Sequence, residues 1–551
     1  MTPWRFLLIL GLLGLAAPAG AEVSDLRVGE VRVRVVDIYG VEELEDEGGL
    51  VATAHRLMNA IHPGTRHAVI RRELLFREGD PLDPALLRET ERNLRSLGFL
   101  TNVSVAPADT LDGGVVPVQV TVQETWSLRT TFSYSRASNA DRWLLLLSDS
   151  NFLGYGLQLE AGLGQDEDRD WKQLRYESRR LLGSDWRLKV EAADLSDGLT
   201  RGVELERPYY ADDDPWTARL AGWDVNYKPR YYLGDATSTE ANLYANPHLR
   251  WEGMSVEGGL RLSPRGDGRL WRLGLGFTGE HRAYAFDALT ELSDDRVLTR
   301  EEAEALAGDP LRRESGRTAE VYLLLETQGR RWATDRFVRR YGAEEDIPLD
   351  PVLLLRTGPA LEALGSDRGR WRFEAVLSDW SRLGRGWWLV RAVTQGALGG
   401  ETGGWHATDL ITGWTAHQWG GVTKIFAEAA VAAEPGGTDV LALGLTRGLR
   451  TSEYSGMVGD RLARWTAEHS VLLPQELLGF YRVGVAGFYA GGSAWWHGGA
   501  RDLGDARHEA GIGLRFGPTR SARAEVSRLD VAWPLDGSSG PKITAATGGY
   551  F

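Results

Sequence analysis

The sequence predicts an all-β transmembrane barrel of about 16 antiparallel strands, preceded by a small α+β domain. Three observations carry this prediction. Short segments alternate apolar and polar residues along most of the chain. Glycine and tryptophan account for 67 and 21 of the 551 residues, a composition typical of many bends and interfacial aromatics. After the N-terminal leader no run reaches the roughly 18 apolar residues of a helical span, and mean hydropathy is -0.29.

Charge and cysteine content exclude several classes of function. The formal charge is -14, and loss of Arg5 with the leader makes it -14 - 1 = -15, which argues against a nucleic-acid partner. The chain contains no cysteine, so it has no disulfide, no thiolate nucleophile and no cysteine metal ligand. This absence is compatible with an oxidising compartment.

Residues 1–21 have the pattern of a signal peptide. Arg5 precedes the apolar stretch Phe6 to Leu15, and Ala19-Gly20-Ala21 supplies small residues before a predicted cleavage site at Glu22. The alternative, a buried N-terminal helix, is opposed by Pro18 and Gly20. We therefore expect export, with the next segment in the periplasm.

Residues 22–125 predict a small domain of strand, helices and two strands. Its last segment alternates, with Val116, Val118, Val120 and Val122 on one face, as in a half-buried strand. Asp83 and Pro84 predict the start of a helix that ends near Gly98.

Two stretches of this domain resemble the POTRA family. They read I-R-R-E-L-L-F-R-E-G-D-P-L-D from Ile70 to Asp83 and L-R-S-L-G-F-L-T-N-V-S-V from Leu94 to Val105. The resemblance implies a periplasmic domain that receives polypeptides by adding their strand to a sheet edge, which requires no fixed client sequence.

Three histidines fall in or near an insertion of this domain, at His55, His62 and His67. No carboxylate or cysteine completes a recognisable ligand spacing around them. We therefore expect surface histidines, and neither a metal nor another cofactor.

Residues 126–551 predict the barrel. Leu157, Leu159, Ala161 and Leu163 alternate with polar residues and glycine, and similar segments begin at Trp186, Trp271, Trp371 and Trp388. One face suits lipid and the other a polar lumen, with tryptophan at strand ends as in an interfacial belt. A soluble β-sandwich or propeller is the alternative, but it explains neither the tryptophans nor the terminal Phe551.

The strand number follows only loosely from length. The 551 - 125 = 426 residues give about 27 per strand for 16 strands, and 14 or 18 strands fit nearly as well. Between Phe286 and Gly316 the alternation lapses, and Thr299 with Glu302 forms a capping-box pattern. We expect a surface loop with a short helix there.

One later segment resembles the inward-folding loop of the BamA/TamA family of outer-membrane assembly factors. It reads G-L-R-T-S-E-Y-S-G-M-V-G-D-R from Gly448 to Arg461, and its arginine is Arg450. The family has glycine and then an aromatic residue where this chain has Thr451 and Ser452. In G-F-Y-A-G-G-S-A-W, from Gly487 to Trp495, the family's aspartate is replaced by Ala490.

We expect Arg450 to dock in the lumen, because a guanidinium in a low-dielectric interior needs a carboxylate. With alanine at position 490, the candidate partners are Asp460 and Glu468. The alternative is a solvated charge cluster on an ordinary loop.

The C-terminal segments complete the resemblance. G-I-G-L-R-F from Gly511 to Phe516 and R-L-D-V-A-W-P-L from Arg528 to Leu535 fit closing strands of the family's barrel. Tyr550 and Phe551 fit the aromatic end that the assembly machinery reads. The resemblance implies the bacterial outer membrane, with the N-terminal domain in the periplasm.

Two classes of function follow. The first is a polypeptide insertion or secretion pore, whose partners are outer-membrane lipid and unfolded or partly folded clients. The second is a passive solute pore or surface-antigen barrel, which gains nothing from a polypeptide-binding domain. We do not expect an enzyme, because the chain lacks G-x-S-x-G, H-E-x-x-H and G-x-x-x-x-G-K motifs.

Overall fold

The computed structural model describes most of the chain after the leader. The described residues are 26–46, 49–108, 114–137, 140–233, 243–266, 268–340, 342, 344–399, 404–435, 437–444, 448–452, 456–477, 479–521, 526–537 and 540–547. The predicted signal peptide and the predicted C-terminal signal, Tyr550 and Phe551, lie outside them.

The N-terminal domain packs helices on a three-stranded sheet. In chain order its elements are β1 (Arg27–Val36), α1 (Val41–Asp46), α2 (Gly49–Ile61), α3 (His67–Arg72), α4 (Pro84–Ser96), β2 (Leu100–Pro107) and β3 (Val115–Glu124). The sheet order is β1-β3-β2, with β3 parallel to β1 and antiparallel to β2. Both β1 and β2 are therefore edge strands.

Local sequence explains this domain well. The four alternating valines of β3 are at most 1% exposed, and they share a core with Ile70 and Leu94 from the helices. Asp83 caps α4 by accepting a hydrogen bond from the Ala85 backbone N–H at 2.7 Å, with Pro84 in the first helical position. Gly98 adopts a positive φ of 76° beyond the helix end, where a side chain would be strained.

The rest of the chain forms a closed antiparallel barrel with short accessory hairpins. Its elements are β4 (Leu128–Ala137), β5 (Ala140–Asp149), β6 (Leu157–Gln165), β7 (Asp170–Ser178), β8 (Arg187–Leu195), β9 (Gly198–Arg207), β10 (Trp216–Tyr227), β11 (Tyr231–Tyr232), β12 (Tyr244–Ala245), β13 (His248–Arg261), β14 (Arg269–Ala285), β15 (Leu289–Glu291), β16 (Val297–Thr299), α5 (Arg300–Glu314), β17 (Gly316–Gly329), β18 (Trp332–Arg336), β19 (Glu344–Pro348), β20 (Val352–Ala360), β21 (Arg370–Leu383), β22 (Gly386–Leu398), β23 (Trp405–Gln418), β24 (Gly421–Ala433), β25 (Leu441–Leu443), β26 (Met457–Gly459), β27 (Arg461–Leu477), β28 (Tyr481–Trp495), β29 (Arg507–Pro518), β30 (Ser527–Pro534) and β31 (Lys542–Thr547).

Twenty of the described strands close the barrel, which corrects the predicted number of about 16. The accessory pairs β11-β12, β15-β16, β18-β19 and β25-β26 form separate two-stranded sheets that are not part of the barrel wall. The prediction allowed too much chain for turns, since β21 and β22 are joined by two residues and so are β23 and β24. Twenty strands share 426 residues at about 21 each.

The barrel wall follows the predicted alternation. On β14, Leu273 and Leu275 are 41% and 58% exposed on the outside, whereas Arg272 is 7% exposed on the inside. The predicted loop helix is α5, whose capping box joins Thr299 and Glu302 reciprocally. Among the described residues, no helix combines the length and apolar character needed to cross a bilayer.

The N-terminal domain lies against one end of the barrel, here called the near mouth. β3 leads directly into β4, so the near mouth carries the turns that follow β5, β7 and β9. The domain contacts these turns and those after β27 and β29. The contacts are Asn151 Nδ2 to Thr65 Oγ1 at 2.8 Å, Arg180 to Glu73 at 3.0 Å, Asn93 Nδ2 to Tyr210 O at 2.7 Å, Tyr39 Oη to Gly479 O at 3.4 Å, and Arg520 to Glu43.

Docking of the domain should depend on pH through Glu89 of α4. Its carboxylate accepts the Asp212 backbone N–H at 2.5 Å. Burial, then repulsion by Asp212, raises the pKa of Glu89 to about 7, although Arg92 and Arg330 oppose the shift. The docked form therefore binds more protons than the undocked form. Docking should be strongest below pH ~4.5 and weaken as pH rises to about 7.

Spin labels on introduced cysteines in α4 and the β9-β10 turn, with distances measured by electron resonance, would follow this docking. Glu89→Gln should remove the pH dependence, because the neutral amide does not titrate. Glu30→Gln, at an exposed carboxylate of β1, should retain it. A pH profile unchanged by Glu89→Gln would contradict the prediction.

Candidate functional site

The segment between β24 and β27 folds into the barrel from the end opposite the near mouth. Leu443, Leu449 and Met457 are at most 2% exposed and pack on the inner wall. Their wall contacts are small or apolar side chains, namely Ala430, Leu462, Ala490 and Ala494. Burial of these three large side chains stabilises the inward position by about 1.5–3 kcal/mol each. This segment, residues 434–460, is called the lumen loop below.

Arg450 is the charged anchor of the lumen loop. Its side chain is 5% exposed. Nε donates to Asp530 Oδ2 at 2.7 Å, and Nη1 donates to Glu509 Oε1 at 3.1 Å. The guanidinium also lies 3.8 Å from the ring centroid of Phe488. Two carboxylates and an aromatic face compensate the desolvation of this cation.

The predicted partners of Arg450 occupy different places. Glu468 pairs with Arg515 at 2.9 and 2.6 Å, and Arg515 also binds Asp530 at 2.6 Å. Glu468 thus belongs to the same charge network as Arg450 through Arg515 and Asp530. Asp460 lies elsewhere, pairing with Arg461 at 3.3 Å and accepting the His497 backbone N–H at 2.7 Å. The carboxylates that hold Arg450 are instead Glu509 and Asp530.

The residues at which this chain differs from the family motif, Thr451, Ser452 and Ala490, all lie beside β29. Ala490 on β28 lies directly opposite Glu509 on β29, so the carboxylate missing from position 490 is supplied by the neighbouring strand. Thr451 donates to Glu509 from its backbone N–H at 2.9 Å and from Oγ1 at 3.0 Å. The residue that replaces glycine therefore helps to bind the relocated carboxylate. Ser452 Oγ accepts a hydrogen bond from Arg507 at 3.4 Å.

Sequence reasoning missed Glu509, Arg515 and Asp530 as partners, although Arg515 and Asp530 lie in segments matched to closing strands. Strand alternation could have placed Glu509 and Arg515 on the same side of the barrel wall, because residues 509, 511, 513 and 515 share a face of β29. The partners of Arg450 are 59 and 80 residues away, and no local pattern encodes that pairing.

The barrel has a sparsely paired seam where its last and first strands meet. In the described residues β31 and β4 share two register pairs, Thr544 with Ser135 and Ala545 with Tyr134. The flanking ladders β30-β31 and β4-β5 have six and ten. At the seam, Ser133 Oγ donates to Ala545 O at 3.2 Å and Thr547 Oγ1 to Phe132 O at 3.3 Å. Side-chain hydroxyls thus satisfy carbonyls beside the short ladder.

A cleft of about 390 Å³ opens beside this seam toward the near mouth. Its lining is rich in aromatic side chains with polar neighbours, including Trp126, Phe132, Phe480, Tyr481, Phe516 and Arg528. The cleft places apolar surface next to backbone that has few ladder partners. This arrangement can accommodate an extended chain with aromatic side chains.

The prediction of surface histidines is corrected for two of the three. His55 is 1% exposed and stacks on Tyr39 with a centroid distance of 3.6 Å. The His62 side chain is 5% exposed beside Glu124 at 3.6 Å. Burial lowers the pKa of His62, against the attraction of Glu124. Among the described residues there is no group of three or more potential metal ligands.

These features define the class of protein. It is a closed antiparallel β-barrel preceded by a POTRA domain: residues 63–125 match the POTRA family model, described as a surface antigen variable number repeat. The matched range covers α3, α4, β2 and β3. Together with the closed barrel, it supports the resemblance to the BamA/TamA family indicated by the loop motif.

Three solved structures can be compared with the chain. BamA from Haemophilus ducreyi lacking POTRA domains 1–3 is 14% identical, with a TM-score of 0.36, over 95% of this chain and 84% of that one. CdiB from Escherichia coli is 12% identical, with a TM-score of 0.40, over 95% and 77%. CdiB from Acinetobacter baumannii is 10% identical, with a TM-score of 0.39, over 94% and 73%. All three TM-scores are below 0.5.

No curated protein matches the chain.

Exchanging the carboxylate between positions 509 and 490 tests the lumen anchor. Glu509→Ala should destabilise the barrel by about 3–5 kcal/mol, because it leaves Arg450 with one carboxylate fewer in a buried site. Ala490→Asp alone should also destabilise, since it places a second carboxylate directly opposite Glu509. The double variant should recover at least half of the loss.

Urea unfolding in lipid vesicles would measure these free energies, and the coupling energy follows from the double-mutant cycle. Asp224→Ala, which breaks an exposed pair with Arg201, is the control and should cost at most about 1 kcal/mol. Additive losses in the double variant would show that positions 490 and 509 do not share one role.

Proposed function

We propose that this protein inserts or secretes polypeptides at the bacterial outer membrane, receiving them on its N-terminal domain in the periplasm. The observation that carries the proposal is the sparsely paired seam between β31 and β4, with its aromatic cleft. Edge backbone groups at such a seam can pair with an incoming strand, and pairing through the main chain requires no fixed client sequence. The role involves no chemical reaction on the client.

The N-terminal domain offers a second edge to a client. The outer edge of β1 is partly occupied, because Val28 N–H donates to Asp80 O at 2.9 Å and Gly79 N–H donates to Val28 O at 2.8 Å. β2 is the other edge strand of the sheet. Its bulge between Thr101 and Ser104, where Asn102 has a φ of 45°, limits continuous pairing to the later residues. A client strand that pairs along residues 104–107 would have to displace the Glu91 carboxylate, which accepts the Val105 backbone N–H at 2.8 Å.

A passive solute pore is less well supported. The lumen loop brings buried apolar side chains and Arg450 into the interior, where an open channel would need water-filled space. The N-terminal domain contacts five turns of the near mouth as well. A barrel that merely admits small solutes has no use for either obstruction.

Locking the seam tests the proposal. Register partners across antiparallel strands have Cβ atoms about 4.5–5.5 Å apart, close to disulfide geometry, and the chain has no competing cysteine. Tyr134→Cys with Ala545→Cys should stop insertion of a urea-unfolded eight-stranded outer-membrane barrel into proteoliposomes. Reduction should restore it, and the heat-dependent mobility of the folded client on SDS gels would report insertion.

Thr394→Cys with Thr408→Cys is the matched control, because these residues are register partners on β22 and β23 within a fully paired ladder. This second disulfide should leave insertion unchanged. If the oxidised seam variant inserts the client as fast as the reduced one, the seam is not the site of insertion. In that case the proposal loses its main support.

A further inference from the structure

A long hairpin at the near mouth has no part in the barrel wall. It spans residues 330–351 between β17 and β20, contains β18 and β19, and is called the mouth hairpin below. Five register pairs from Trp332–Pro348 to Arg336–Glu344 hold its two strands together. Most near-mouth turns are far shorter, for example the two residues between β21 and β22. This connection is therefore both longer than most near-mouth turns and held by its own strand pairing.

The mouth hairpin folds inward onto an apolar seat. Val338 and Ile347 are at most 1% exposed and pack against Trp380, Trp387 and Leu389 of the barrel's inner wall. Leu389 is 7% exposed in this arrangement. The hairpin therefore lies across the opening and does not project away from the barrel.

Contacts of the hairpin tip extend far around the ring. Asp335 accepts a hydrogen bond from Trp387 Nε1 on β22 at 2.7 Å, and the Arg336 carbonyl lies 3.0 Å from His417 Nε2 on β23. Arg482 on β28 lies 6.0 Å from the ring centroid of Phe337. From its root beside β20, the hairpin thus reaches six strands further along the barrel, to β28.

The N-terminal domain contacts a mostly different part of the mouth. Its contacts lie on the turns after β5, β7, β9, β27 and β29, whereas the hairpin contacts β21, β22, β23 and β28 and, through the pair of Arg330 with Asp213, also the turn after β9. The two bodies approach the mouth from opposite sides of the ring. The two sets of contacts meet at the turn after β9.

Their border is polar and loosely packed. Arg95 of α4 forms a two-point ion pair with Asp346 of the hairpin, Nε to Oδ2 at 3.0 Å and Nη2 to Oδ1 at 2.8 Å. Arg92 lies 5.1 Å over the ring of Trp332. Cavities of about 310 and 250 Å³ flank this link, one beside α4 and one beside Asn102 and Gln123. Each body is thus better packed on the barrel than on the other.

We propose that the mouth hairpin is one leaf of a two-leaf gate, with the N-terminal domain as the other leaf and Arg95–Asp346 as the latch. Separating the polar border between α4 and the mouth hairpin costs less free energy than separating a packed apolar contact would, because cavities already lie beside the border. Release of the latch removes one of the contacts that hold the hairpin down, so a larger fraction of molecules has the hairpin lifted from Leu389 and the route from the near mouth to the lumen open. The N-terminal domain thereby controls access through a contact with the hairpin rather than by its bulk alone.

The test measures lifting of the hairpin through a cysteine beneath it. Leu389→Cys supplies the sole thiol, since the chain has none, and its modification by a polyethylene glycol maleimide is timed in nanodiscs. Asp346→Asn and Arg95→Gln, each in this background, should raise the modification rate by about fivefold or more, the usual lower range of coupling between two sites. Heat-dependent gel mobility would verify that each variant is folded.

Two further variants separate a latch from general loosening. Arg331→Gln removes an exposed guanidinium that pairs with Asp350 at the hairpin root and should leave the rate unchanged. The charge exchange Arg95→Asp with Asp346→Arg should return the rate toward that of the parent. Equal rates in the parent and both single latch variants would show that the hairpin is a fixed floor, and this would overturn the proposal. The measurement uses no client, so it is independent of the insertion experiment.

Discussion

Closure of the hydrogen-bonded ring is the constraint on which the rest of the structure depends. Lipid offers no partner to an unpaired N–H or C=O, so every strand of the wall must pair on both sides. Nineteen of the twenty junctions meet this requirement with ladders of at least six register pairs, and the junction between β31 and β4 has two in the described residues. The place where the constraint is least satisfied is where the first and last strands meet, and an aromatic cleft lies beside it.

The second constraint concerns charge within the ring. Arg450 and Arg515 share Asp530, and Glu509 and Glu468 complete their coordination. Such a network contributes little net stability compared with an apolar core of the same volume, but removal of one member leaves a buried charge without compensation. The network therefore specifies a position for the lumen loop. It also joins the loop to β27, β29 and β30, close to the seam in the strand order.

The two ends of the barrel are blocked by different kinds of contact. At one end the lumen loop combines apolar burial with the Arg450 anchor. At the near mouth, the described residues of the N-terminal domain and the mouth hairpin meet through an ion pair and a cation–aromatic contact beside cavities. The contacts between the N-terminal domain and the mouth hairpin are sensitive to the loss of a single charge, because little apolar packing supports them. At the near mouth, loss of one charge therefore affects how two bodies meet, whereas at the lumen loop it leaves a buried charge without compensation.

Local features were readable from the sequence because neighbouring residues determine them. The valine alternation of β3, the Asp83–Pro84 start of α4 and the Thr299–Glu302 capping box each depend on a few adjacent side chains. Strand alternation also predicted a barrel, because a two-residue period reports which faces are polar. Neither pattern reports the number of strands, which depends on where the ring closes and how short each turn is.

Tertiary structure alone decided which charges meet. The sequence by itself indicated that Arg450 lies in a segment resembling the family's inward-folding loop, and that alanine stands at position 490 where the family has aspartate. That Glu509 takes this place follows from the β28-β29 register, in which residues 490 and 509 are directly opposite. That the mouth hairpin lies across the opening follows from the positions of Trp380 and Trp387 on the inner wall. Register and closure depend on all the strands together, so no single segment of sequence carries them.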